Sequence, residues 1–448
     1  MTSQISAGHL MEEVSGQVGG AELYQVLSLT MPVSFEVGAL KSVESVEMTG
    51  RALRVIKEGH LGFSTTTDLT DDTTLIRNAL EASRYGDPAP FELPEARPGP
   101  EVQCFDPQVE RLDEEALILQ GEKVVDRIKA YDPELKVDVS LRKALDEVTL
   151  LNTSGLGLED RRTSFSLFVG VVRTREDDIL IIYDGASSHR HQDVDALAMA
   201  DGLIERLRWS ETLAAVGSGA MPVVFRSQAI NCLLLPLGVG LSGRNVYLGA
   251  SPLAEKLGQQ ILDRRFTLVD DGRLDYASPS APYDDEGIPT ARKTLIEDGV
   301  VKQFLYDLRT AAQAGAQPTG NGFKAEGWRG RGYHLPPAVA PTTALVPPGD
   351  QSLEEILEGL DEALLVEQVI GLGQGNIEAG EFSTNVALGF LVREGKIVGR
   401  VKNTMIAGNV YDLLKDQLIA LSDRAEWYQG IVHAPAIAVD GVGVASQG

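Results

Sequence analysis

Residues 382–401 read FSTNVALGFLVREGKIVGRV, and this stretch decides the fold class. It is strand-like on both sides of Glu394-Gly395, a dipeptide that punctuates it as a hairpin turn. The same grammar recurs outward from it. Arg51–Lys57 and Gly62–Thr67 flank the turn Glu58-Gly59-His60, and Glu22–Val37 is rich in β-branched and aromatic residues. In Val137–Leu141 the apolar Val137, Val139 and Leu141 alternate with Asp138 and Ser140, the period of a half-buried strand. Leu145–Asn152, Thr163–Thr174 and Asp178–Asp184 continue the pattern around the turn Ser154-Gly155. Hairpin turns outnumber regular βαβ alternation, so the expectation is α+β with mainly antiparallel sheets.

Helices are placed by the 3.6-residue period and by start signals. Leu75, Ala79 and Ala82 follow Asp71-Asp72; Glu114–Ala130 and Asp195–Leu207 are further helices. Ser352 is an N-cap with Glu355 three residues on, and the apolar spacing of Leu353, Ile356, Leu357, Leu360 and Leu364 extends that helix to 364. Val410, Leu413, Leu414, Leu418 and Leu421 predict another, reaching 421. Asn231–Gly243, NCLLLPLGVGLSG, is a helix-like apolar run.

Four segments follow: residues 1–86, a Pro-rich linker over 87–112, a central α+β segment over 113–220, and a C-terminal domain over 221–448. The linker rests on Pro88, Pro90, Pro94, Pro98 and Pro100, an extended or edge-wrapping composition. The fold expected is an N-terminal α/β region of mixed strands and helices plus a larger C-terminal domain of mainly antiparallel sheet.

Lys and Arg number 40 against 65 Asp and Glu, a net charge of −25. A surface that neutralises phosphates needs the opposite sign, so direct nucleic-acid binding is not expected. Cys104 and Cys232 are the only two cysteines, too few for a disulfide framework, which fits a reducing cytoplasm. MTSQISAGHLMEEVSG has neither a basic nor an apolar leader region, and no apolar run is long enough to span a bilayer. A soluble, cytoplasmic protein with no membrane partner is the reading.

Several blocks in order along the chain resemble the TldD/PmbA family, also called modulators of DNA gyrase. They are GALKSVESVEMTGRALRVIKEGHLGFSTTTDL from Gly38, LNTSGLGLEDRRTS from Leu151, and FTLVDDG from Phe266. YDDEGIPTARKTLIEDGVVKQFLYDLRTA from Tyr283, PTGN at 318–321, GEFSTNVALGFLVREGKIVG from Gly380 and IAGNVYDLL from Ile406 complete the series. The resemblance implies a PmbA/TldD-like fold and a degenerate metallopeptidase-like C-terminal domain. In the TldD branch a His-Glu-x-x-x-His helix and a later cysteine hold a zinc for peptide cleavage. The PmbA or TldE branch lacks these ligands and pairs with the first in a heterodimeric protease.

Carried onto this chain, the first histidine falls on Leu234 or Leu235 and the glutamate on Leu235 or Pro236. The second histidine falls on Val239 or Gly240, and no cysteine occurs in Tyr428–His433. Aliphatic side chains, proline and glycine offer no ligand to zinc and no base to its water. The resemblance therefore implies no catalytic residue, metal or cofactor in this chain, with zinc in a TldD-like partner subunit. Extended peptides are the implied substrate, as in the family's maturation of peptide precursors and degradation of unfolded peptides; an isolated chain can reuse its interface as a homodimer.

Other residues are weighed beside this reading. His189 and His191 would share one face if they lay on a strand, the low-probability metal pair behind a self-sufficient hydrolase. A second alternative is a gyrase-associated modulator acting by protein contact. The glycine-rich Gly320–Tyr333, with Asn321, Lys324, Trp328, Arg329 and Arg331, is the stretch for peptide or partner contact, since backbone amides and arginine forks hold carboxylates. Asp270-Asp271 and Asp284-Asp285-Glu286 are acidic clusters, and close carboxylates can share a proton or hold a divalent ion; the favoured reading of the second is a turn shaped through Gly287. Gly371–Gly375 lacks the following helix of a dinucleotide site, and Cys232 reads as a small buried hydrophobe.

Overall fold

The computed structural model describes residues 2–176, 178–325 and 332–446. Strands β1 (Gly20–Glu36), β2 (Ala39–Val43), β3 (Val46–Lys57), β4 (His60–Thr66), β5 (Lys136–Asn152), β6 (Gly157–Arg175) and β7 (Asp178–Ser188) form one antiparallel sheet in the order β4-β3-β1-β5-β6-β7, with β2 on β1. The alternation read in Val137–Leu141 sets its register: Val137, Val139 and Leu141 face Val171, Val169 and Leu167 across β5 and β6. Segments 1–86 and 113–220 are thus one unit, because β1 pairs with β5 along most of its length. The proline-rich stretch between them is a strap along the surface. Asn152 donates to Pro94 O (2.8 Å), Tyr283 donates to Arg97 O (2.9 Å), and the strap's own Leu93 and Cys104 are buried.

The second unit is built from β8 (Gly219–Phe225), β9 (Leu268–Asp271), β10 (Arg292–Glu297), β11 (Val300–Val301), β14 (Ala344–Leu345), β15 (Glu362–Ile370), β16 (Glu381–Arg393), β17 (Lys396–Arg400), β18 (Thr404–Asn409), β19 (Leu418–Tyr428) and β20 (Val432–Ser446). A two-stranded ribbon of β12 (Gly322–Phe323) and β13 (Ala338–Val339) stands apart from it. Strands β8, β15, β16, β18 and β20 follow one another, and β20 pairs back onto β8, which closes the sheet on itself. Among the strands of the described residues, β8 pairs with β15 and β14 with β20 in parallel, and the other strand pairs are antiparallel. The hairpin at 394–395 forms where its dipeptide predicts: Glu394 and Gly395 have φ of 49° and 74°, the left-handed pair of a tight two-residue turn.

Both long C-terminal helices are shorter than their apolar spacing predicts. One spans Leu353–Glu358, with the capping box of Ser352 and Glu355 formed, and Leu364 lies in β15. The other spans Val410–Asp416, and Leu418 and Leu421 lie in β19. In each, the leucines beyond the helix are buried by the strand instead, so tertiary pairing overrides the local period.

The two units share a core. Val33, Phe35, Leu167 and Val169 of the first sheet and Leu117, Val124 and Ile128 of the helix Glu114–Tyr131 join Leu365, Phe390 and Ala438 of the closed sheet in one apolar cluster. A Cβ at Gly121, inside that helix, would lie 2.2 Å from the Phe35 ring. Gly121→Ala gains about 1 kcal/mol of helix propensity, but overpacking costs about 1–3 kcal/mol. The clash wins, and a net loss of stability in urea unfolding is the expected result; a gain would show that the helix shifts freely.

Candidate functional site

A small cleft, with an interior of about 30 Å³, lies where the first sheet meets the closed one. The end of β7 gives it Tyr183 and Asp184, the short turn after β8 gives Ser227 and Gln228, and β15 gives Gln368. Asn231 at the start of the helix Asn231–Gly240 and the turn at 428–432 close it. The fold therefore sets Asn231, at the head of one stretch to which the resemblance gives zinc ligands, beside the turn of the other, while positions 234–240 do not line the cleft. Ser227 and Gln429 both have φ of 53°, a left-handed backbone that non-glycine residues seldom adopt. Such conformations cost about 1–3 kcal/mol and gather at functional sites.

An ion network lies beside the cleft and reaches it through Asp184. Glu367 is fully buried and paired with Arg206 (3.3 Å) and Arg226 (3.2 Å). Arg206 also holds Asp184 (2.7 Å), and Arg226 holds Glu426 (3.1 Å). Burial works against the charge on both arginines, and these carboxylates more than offset it, raising both above the ordinary range. Burial also keeps the Tyr428 hydroxyl protonated well beyond a normal phenol.

The residues present do not fit a zinc ion. In the helix Asn231–Gly240, Cys232, Leu233, Leu234, Pro236 and Leu237 point into the core, while Asn231, Leu235, Gly238 and Val239 are only partly covered. Of the positions that the resemblance gives to the ligands, Leu234 and Pro236 are thus core, and Leu235 and Val239 are aliphatic on the outer face. Gly240 leaves little room for a side chain, because a Cβ there would lie 2.4 Å from the Tyr411 hydroxyl and would require that ring to shift. Cys232 is fully buried, which pushes its thiol up to about 12.

His189 and His191 do not converge. β7 ends at Ser188 and His191 opens a short 3-10 turn, so the shared strand face never forms. The His189 ring is buried between the carbonyls of Thr163 and Ser280. His191 meets Gln120 Oε1 at 3.2 Å and the Phe165 ring edge-on at 4.7 Å, with its pKa lowered by burial. Among the described residues no group of three or more His, Cys, Asp or Glu is placed to hold a metal ion.

The glycine-rich stretch divides. Trp328, Arg329 and Arg331 lie outside the described residues. Asn321 and Lys324 are 0% and 1% exposed, internal struts and not surface contacts. Asn321 donates to Asp270 Oδ2 and to Ala340 O, each at 3.0 Å. Lys324 stands over the rings of Phe63 (4.9 Å) and Tyr24 (5.1 Å) and donates to Leu335 O (3.2 Å).

Beside Lys324 the two units are joined by a buried charge cluster. Arg54 of β3 donates to Glu22 of β1 (2.8 Å) and to Glu286 (2.6 Å), all three nearly inaccessible. Asp284 shapes the loop that presents Glu286: it accepts from the amides of Glu286 (3.0 Å), Ile288 (2.8 Å) and Gly322 (2.8 Å), and Gly287 turns at φ 82°. Burial raises Glu286 to about 7, against the pull of Arg54, and burial lowers Lys324 to about 8.

Comparison with known proteins places this geometry. The sequence model of the PmbA/TldA metallopeptidase C-terminal domain matches residues 218–446, and that of the family's domain 1 matches 21–84. The chain belongs to the PmbA/TldD family. It is 24% identical to the metalloprotease PmbA of Escherichia coli O157:H7, covering 96% of this chain and 94% of that protein. It is 26% identical to a metalloprotease TldD homolog of Buchnera aphidicola, over 63% of this chain and 59% of that one. The crystal structure of TldE from Thermococcus kodakarensis superposes with a TM-score of 0.87 at 22% identity, covering 98% of this chain and 100% of that chain. The α+β architecture is that of this structure.

Proposed function

We propose that this chain is a non-catalytic, PmbA/TldE-like subunit that pairs with a TldD-like zinc peptidase and helps it hold extended peptides. The observation that carries the reading is chemical. The positions that the resemblance gives to the zinc ligands are filled by leucine, proline, valine and glycine, and most of them serve the core. Relatives bearing the names TldE and TldD homolog support a two-part assembly. No helix among the described residues is long and apolar enough to cross a membrane.

Co-expression with a TldD-type counterpart is the test. The pair is expected to co-migrate in gel filtration and to cleave an unfolded peptide faster than the counterpart alone, while this chain alone cleaves nothing and carries well under one zinc per chain. Failure to co-migrate together with no gain in cleavage overturns the proposal. Stoichiometric zinc with activity in the isolated chain would restore the self-sufficient hydrolase.

A further inference from the structure

Among the described residues, the cleft holds two amide oxygens with nothing to accept from. Gln368 is 1% exposed. Its amide nitrogen donates to Tyr183 O (2.5 Å), which turns Oε1 away from that contact, and Oε1 has no partner. Asn231 Oδ1, across the cleft, is also buried without a partner. A buried acceptor left unmade is costly, so a native site of this kind is completed by a donor from outside the chain or by water. Of the other polar side chains lining the cleft, Gln228 Oε1 accepts from Val369 N (2.9 Å) and Asp184 is held by Arg206, while the Tyr428 hydroxyl is buried with no hydrogen bond among the described residues and is placed to meet a peptide carbonyl.

We infer that Asn231 and Gln368 form a subsite for the N–H donors of an extended peptide, with the backbone amide as the recognised group. This deepens the proposed peptide-holding role and rests on it. The recognised donor is taken as the backbone amide because each nearby carboxylate, Glu367, Asp184 and Glu426, is already paired with Arg206 or Arg226, which leaves the two amide oxygens as the open acceptors. The surface beyond the mouth fixes the side-chain preference. Tyr183 stacks on Phe168 (5.7 Å), and Ile181 and Ile179 follow on the same face of β7 at 56% and 62% exposure. An exposed apolar ledge continuous with a polar cleft suits an extended peptide with alternate apolar side chains.

The test uses the full chain and a fluorescein-labelled, N-acetylated, C-amidated hexapeptide of alternating Leu and Ser, read by fluorescence anisotropy. Asn231→Leu and Gln368→Met are each expected to weaken binding about tenfold, the loss of one hydrogen bond in a desolvated site. A set of depsipeptides, each with one backbone N–H replaced by an ester oxygen, separates donor recognition from packing. One ester position is expected to weaken binding to the wild type and to leave the Asn231→Leu or Gln368→Met variant unaffected. Thermal unfolding checks that both variants are folded, and Asn231→Ala, at a partly covered helix start, is the milder second variant. If the wild-type chain binds the peptide but neither variant nor any ester changes the affinity, this subsite is overturned and the peptide-holding role stands. If the wild type binds no peptide, alone or with its counterpart, both fall. Water molecules that satisfy the two oxygens in a crystal grown with the peptide bound elsewhere also overturn the subsite.

Discussion

Arg54→Met is expected to remove about 3–5 kcal/mol of stability, measured by urea unfolding near pH 7.5. The guanidinium is placed between Glu22 and Glu286, at 2.8 and 2.6 Å, and both carboxylates are 1% exposed. Methionine fills the space and leaves two buried acids facing each other. The triple variant Glu22→Gln, Arg54→Met, Glu286→Gln separates the charge from the shape. Replacing a whole buried ion cluster by neutral groups is often close to neutral, whereas breaking it is not. A triple variant as damaged as the single one would show that Arg54 acts by packing, through its contact with Phe91, and not by charge.

The same cluster sets a pH dependence whose sign follows from proton binding. The folded chain holds the Glu286 proton up to about 7, above the ordinary 4.5, so between those values the folded state binds more protons than the unfolded one. Stability from this group therefore falls as pH rises through that window. Lys324 has the opposite slope: it is lowered to about 8 from 10.5, the unfolded chain binds more protons between those values, and stability rises with pH there. The combined contribution is lowest between about 7 and 8. In Glu286→Gln the lower limb is expected to flatten, and in Lys324→Met the upper limb.

What the chain reveals of this architecture depends on how local each feature is. The hairpin at Glu394-Gly395 is legible because its turn residues and flanking alternation lie within twenty positions of each other. The strands of the first sheet are legible for the same reason. Their pairing is not: β1 meets β5 more than a hundred residues away, and nothing near Glu22 announces Asn152 as its neighbour. The helix ends at 358 and 416 are overrun because leucines at intervals of three and four serve a strand start as well as a helix face. The cleft is not legible in the sequence beyond the two stretches to which the resemblance gives the zinc ligands. Its one local signal is Glu367-Gln368, a polar pair inside the apolar run of β15, which acquires meaning only when Arg206, Arg226 and Tyr183 arrive from other elements. Asn321 and Lys324 mislead in the opposite direction, since a glycine-rich polar stretch looks exposed until the charge cluster buries it.

The helix Asn231–Gly240 gives the second large effect, and it divides one element by face. Leu237 is fully buried in the cluster with Phe225, Phe382, Val410 and Leu414, and Leu237→Ala is expected to cost about 2–5 kcal/mol in urea unfolding. Leu235, two residues away on the partly covered face, is expected to cost under about 1 kcal/mol on the same change. If the outer face meets a partner, association should invert that order. Leu235→Ala would then weaken co-migration with the TldD-like counterpart while leaving the fold intact, and Leu237→Ala would lower stability without a specific effect on pairing once folded. Equal loss of stability from both would mean that the helix is core on every side. Loss of pairing from neither would move the interface elsewhere. A zinc-binding helix must turn its imidazoles and carboxylate toward solvent-accessible metal, whereas this one turns leucines inward along most of its length. Its aliphatic residues thus hold the wall of the cleft in place, and the chemistry the cleft retains belongs to the amides of Asn231 and Gln368.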